Sequence, residues 1–182
     1  MPEEVIQSPD GEVLRLIARV KSTPHSDTSI KPIATDSTTV EIIVSDGRIV
    51  SRGSQWGHVA MEIDGMVYGM SHDGYDRRPK DVYIVRNSYR DSIGVVLRVS
   101  PAEREKMRRE FERRKNLGQG YNLISNSCST NVADVLESIG ILAHDPRFFF
   151  APASTAGVAP KELLTTIKKS KRVVRIIDYP KR

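Results

Sequence analysis

One cysteine occurs in the 182 residues, and Cys128 stands among small polar residues in SNSCSTNVADVLESIG, 125–140. After it, Val132, Val135, Leu136 and Ile139 recur at helical spacing, which predicts a helix with a single buried stripe. The thiol begins that stripe, at the end of the helix where free N–H groups point outward. A thiolate is an anion, and a helix start favours one. A free thiol titrates near about 8.5, and both a helix N-terminus and an imidazolium neighbour lower that value. The chemistry within reach is attack by sulfur on an acyl carbon.

Such a reaction needs a base, and four histidines are available: His25, His58, His72 and His144. His25 falls in a polar stretch and His144 in the loop after the cysteine helix. His58 opens an apolar strand pattern after SQWG, so its ring can face a helix packed on the sheet. Cysteines at helix starts and histidines at strand starts also serve as packing residues, so the pair alone does not establish a dyad. No second cysteine, no His-x-x-x-His and no phosphate loop is present, so neither a metal nor another cofactor is expected.

The elements that position these residues read as an α+β domain. TVEIIVSDG, 39–47, reads as a strand, and GHVAMEIDGMVYGM as a hairpin turning at Asp64-Gly65. DVYIVRN, 81–87, and IGVVLRV, 93–99, read as two further strands. Ser100, Pro101 and Glu103 form a capping signature for a helix over 101–115. Gly140 ends the cysteine helix, a short helix follows at 161–169, and VVRIID, 173–178, is a closing strand. EVLRLIARV, 12–20, reads as an early strand before a Ser/Thr/Pro-rich linker. The expected organisation is therefore residues 1–37 as strand and linker and 38–182 as the catalytic domain.

Net charge is +5, with 38% hydrophobic and 28% charged residues, the balance of an ordinary globular chain. AEREKMRREFERRKN, 102–116, mixes its bases with acids and lacks aromatic interleaving, so it reads as a solvated helix and nucleic acid is not an expected partner. No run is long enough for a transmembrane helix. The acidic start MPEEVIQSPDGE lacks the form of a Sec signal.

WGHVAMEIDGMVYG and, later, YNLISNSCSTNVADVLESIG together resemble the circularly permuted branch of the NlpC/P60 papain-like superfamily, where the histidine strand precedes the cysteine helix. The resemblance spans about 38–170 and takes in APKELLTTI. It implies an antiparallel half-barrel sheet packed on helices, with Cys128 as nucleophile and His58 as general base. Paired in this way, the thiol is expected to titrate below about 7. Relatives carry a polar residue after the base that orients the imidazole. Hairpin parity puts Ser71 across from His58 and His72 on the other face, while Glu62 shares His58's parity two pleats away. Ser71 is favoured, and a bare dyad stays open. Tyr121 matches the tyrosine that flanks the cysteine in relatives, and it is expected, with Trp56, to contact substrate.

The expected activity is hydrolysis of amide bonds in peptidoglycan stem peptides. Basic stand-alone domains of this kind resemble antibacterial toxins, made in the cytoplasm, exported by a specialised secretion system to the target periplasm, and held in check by a cognate immunity protein. A lipid acyltransferase or lipase on the same dyad is the alternative, with Phe148 to Phe150 lining an acyl groove. A non-catalytic binding module is the third reading.

Overall fold

The computed structural model describes residues 5–7, 13–15, 38–46, 57–123, 125–144 and 157–182. Strands β1 (Val5–Gln7) and β2 (Val13–Arg15) pair with each other in a small sheet. The main sheet contains β3 (Thr38–Ser45), β4 (His58–Ile63), β5 (Met66–Ser71), β6 (Gly74–Pro79), β7 (Ser92–Val99) and β8 (Val173–Tyr179). Its order is β6-β5-β4-β3-β7-β8, with every neighbour antiparallel. Four helices are described: α1 (Lys80–Arg86), α2 (Pro101–Leu117), α3 (Cys128–Glu137) and α4 (Pro160–Ile167). None of them is long and apolar enough to cross a membrane.

The alternation of β4 divides the molecule into two layers. Val59, Met61 and Ile63 enter the main core with Ile42, Val44, Leu97, Phe111 and Leu136, beneath α2, α3 and α4. Ala60, on the other face, packs with Ile43, Val67 and Tyr83 beneath α1. The hairpin turn has both Asp64 and Gly65 at left-handed φ, 52° and 77°, as a two-residue β-turn of this kind requires. The cap of α2 closes in both directions, Glu103 N–H donating to Ser100 Oγ and Ser100 N–H to Glu103 Oε2.

One expectation needs correction. DVYIVRN is helix α1 rather than a strand. Lys80 N–H donates to Gly65 O at 2.9 Å and Asp81 Oδ1 accepts from Val82 N–H, so the chain leaves the sheet at Pro79 and begins to coil. Tyr83 then faces the sheet while Val82 and Val85 stay exposed, a helical split of an apolar run. The sheet position is taken instead by β6, whose polar sequence GYDRRP carries no apolar alternation because it is an edge strand. Lys80 also donates to the buried Glu41 on β3, which accepts from Tyr179 of β8 as well. These bonds fix α1 over the second face of the sheet. The linker 16–37, Trp56 and Phe148 to Phe150 lie outside the described residues.

Candidate active site

The small polar residues around Cys128 are spent in building its loop. Asn122 and Asn126 exchange backbone bonds at 3.2 and 3.0 Å, and Asn126 Nδ2 donates to Gly120 O at 2.7 Å. Ser127 caps α3 by accepting from Thr130 N–H at 3.2 Å. Asn131 Nδ2 donates back to Ser127 O at 2.7 Å and to Asn126 Oδ1 at 2.8 Å. Its Oδ1 accepts from Tyr75 Oη at 2.7 Å and from Arg114 Nη1 at 2.9 Å. Ser129 Oγ donates to Val158 O, which ties the helix start to the segment before α4. Ser127, Ser129, Thr130 and Asn131 are all buried and all bonded, so the cysteine sits on a rigid collar.

Within that collar the sulfur accepts from the backbone N–H of Val59 and of Ser129. The first contact places it against β4 at the residue after His58. Burial raises the thiol pKa, and these N–H bonds offset only part of the rise. Half-buried at the cavity, His58 is pushed down to about 4, chiefly by desolvation, then by the Arg90 charge, with Asp76 opposing. The expected thiolate–imidazolium pair is therefore not the resting state. Desolvation disfavours both charged forms, and at neutral pH the site holds a thiol beside a neutral imidazole.

His58 lies at the end of the sheet where Ser45 pairs both with it and with Ser92. The hydroxyls of Ser92 and Ser45 bond to each other at 2.9 Å. On the other side, the β4–β5 register runs Ala60 with Gly69, so Ser71 continues it opposite His58. Ser71 Oγ, however, donates to Gly74 O at 3.2 Å within its own turn. Gly69 leaves a gap beside the imidazole: a Cβ there would lie 3.6 Å from His58 Nε2. Across that gap Gly69 pairs with Asp76 of β6. Asp76 also forms an ion pair with Arg78.

One cavity of about 800 Å³ is lined by Cys128, His58, Ser71, His72, Asp76 and Tyr121, among others. His72 packs its ring against Tyr121, with centroids 4.2 Å apart and the planes tilted by 41°. Glu62 is not in this cavity; its carboxylate accepts from Gly65 N–H at 2.6 Å in the hairpin turn. Asp76 and Arg90 also line the cavity; the sequence reading missed them because it took neither β6, which carries Asp76, for a strand nor the segment before Arg90 for a helix and turn. Among the described residues no group of three His, Cys, Asp or Glu converges as a metal site would require. Chemically, the arrangement offers a fixed sulfur, a neutral imidazole able to take its proton, and helix-start N–H groups beside the sulfur.

No family model matches the chain, and no curated protein matches it. Among solved structures it shares its fold with the crystal structure of the type VI secretion system effector TseH. The TM-score is 0.56 at 16% identity, over 80% of this chain and 94% of that one.

Proposed function

We propose that this chain is a cysteine hydrolase of the permuted NlpC/P60 type, with residues 38–182 as its catalytic domain. The observation that carries the reading is the shared cavity of Cys128 and His58, the sulfur held at the start of α3 against the strand that bears the histidine. From the resting state, His58 accepts the thiol proton as Cys128 attacks the acyl carbonyl. The N–H groups of Cys128 and Ser129 lie beside the sulfur and serve the developing oxyanion. The imidazolium then gives its proton to the leaving amine, and the acyl group remains on sulfur as a thioester. Water, deprotonated by neutral His58, releases the acid and restores the thiol.

Asp76, rather than Ser71, orients the imidazole. Its position across the Gly69 gap and its stabilisation of charged His58 support this role, whereas the Ser71 hydroxyl is committed to Gly74 O. Tyr121 borders the cavity as a substrate contact, and Trp56, which lies outside the described residues, is assigned with it. The substrate is the peptide stem of the bacterial cell wall. TseH is a type VI secretion system effector, and the same role fits this chain: a delivered antibacterial effector that acts in the target periplasm and is neutralised by an immunity protein in the producer.

The test sets two substrate classes side by side. Soluble muropeptides and anionic phospholipid vesicles are incubated with purified protein and analysed by mass spectrometry. Cleaved muropeptides with intact lipid support the reading. Released fatty acid or transferred acyl chains with intact muropeptides replace it with the lipid enzyme.

A further inference from the structure

Arg90 is an unusual arginine. It is 5% exposed, yet no carboxylate among the described residues pairs with it. Its Nη2 donates to Asn87 Oδ1 at 3.0 Å, its guanidinium lies 5.2 Å from the Tyr89 ring centroid, and its Nε is buried with no acceptor. A guanidinium withdrawn from water normally keeps an anionic partner, because desolvation of an uncompensated charge is expensive. The residue nevertheless lines the cavity that holds Cys128 and His58. Arg78 lines the same wall, and its Nε is likewise buried without an acceptor, although Asp76 pairs with its terminal nitrogen.

We infer that Arg90 is the anion-binding residue of this cavity, and that the substrate presents a free carboxylate close to the acyl group that Cys128 attacks. A carboxylate matches the planar guanidinium and supplies the anionic partner that Arg90 lacks among the described residues. The inference rests on the proposed hydrolase in placing the scissile bond, and it adds a requirement that reading does not contain: amidated substrates are disfavoured. Binding also acts on the base. The cavity that holds His58 is also lined by Arg90, by Asp76 from β6, by Tyr83 from α1 and by Cys128 from α3, and the charges of Arg90 and Asp76 act on the imidazole. Of these, Arg90 opposes protonation of the imidazole, and an anion held on Arg90 relieves that opposition as the substrate arrives.

The test uses the sole cysteine as reporter and needs no turnover. Iodoacetate and iodoacetamide differ by a carboxylate against a neutral amide. Each alkylates in the same way: the sulfur–carbon bond forms, iodide leaves, and the thiol proton goes to His58 or solvent. Rate constants for Cys128 are measured with both reagents, by intact mass, for wild type, Arg90→Gln and Arg90→Lys. The iodoacetate-to-iodoacetamide ratio in wild type should exceed that of Arg90→Gln by about tenfold or more, with Arg90→Lys between. Equal ratios in wild type and Arg90→Gln overturn the inference. A second readout is independent of thiol reactivity: N-acetylglycine, but not N-acetylglycinamide, should raise the melting temperature of wild type and leave Arg90→Gln unmoved. A rise with both ligands, with neither, or in the variant too counts against Arg90. Because neither readout involves hydrolysis, an Arg90 that fails here leaves the hydrolase reading to its own substrate test.

Discussion

Acidification should destabilise the protein through His58. The imidazole titrates at about 4 in the fold, against 6.5 for an ordinary histidine. Between those values the unfolded chain carries a proton that the folded protein refuses, so stability rises with pH across this window. The contribution is fully present above about 6.5 and is lost progressively as the pH falls towards about 4. One pKa unit corresponds to about 1.4 kcal/mol, so the complete effect is about 3 kcal/mol. Carboxylates titrate in the same range, and for that reason the comparison is with His58→Gln, which keeps them all. Urea unfolding followed by circular dichroism at about pH 7.5, 6, 5 and 4 gives the free energy of each protein. The wild type should lose about 3 kcal/mol relative to the variant over that range. Parallel curves would show that His58 is not held neutral by burial, and the resting state described above would be wrong.

Asp76→Asn should lower kcat by about ten- to a hundredfold with KM little changed, since a mispositioned base slows the proton transfers rather than binding; an unchanged kcat returns the choice to Ser71 or a bare dyad. At Gly69→Ala the new methyl meets Ala60 Cβ at 3.5 Å and His58 Nε2 at 3.6 Å, ordinary contacts. Thermal unfolding should show equal or slightly higher stability, by up to about 1 kcal/mol, while turnover falls because the methyl separates His58 from Asp76. Ser127→Ala removes the cap of α3 and should cost about 1 kcal/mol in chemical denaturation; no loss would mean the collar does not depend on that bond. Wild-type alkylation by iodoacetamide should be slow at about pH 6 and accelerate well above about 8.5, because burial keeps the thiol protonated.

The residues that carry local signals were legible. Ser100, Pro101 and Glu103 announce α2, Asp64-Gly65 announces the hairpin, and the stripe from Val132 to Ile139 announces α3. Strand parity alone placed His58 and Ser71 on one face, because a two-residue turn fixes the register of both strands. What the sequence hides is set by tertiary position. An apolar run such as DVYIVRN fits either a buried strand or a helix, and its bonds to Gly65 and Glu41 decide for the helix. GYDRRP gives no apolar alternation, so Asp76 had no strand to place it opposite Gly69. The protonation of the pair was hidden for a different reason. A helix start and an imidazole neighbour are visible in the residues, whereas the burial that opposes them depends on packing from β4, α1 and α3 together.

The most direct measurement on the central claim is digestion of purified muropeptides by wild type and by Cys128→Ala, with products read by mass spectrometry. Cys128→Ala removes one sulfur from a buried site and should remain folded, with a loss of about 1 kcal/mol. Fragments that have gained one water across an amide bond should form with wild type and be absent with Cys128→Ala. The same fragments at the same rate from both proteins would contradict a cysteine mechanism.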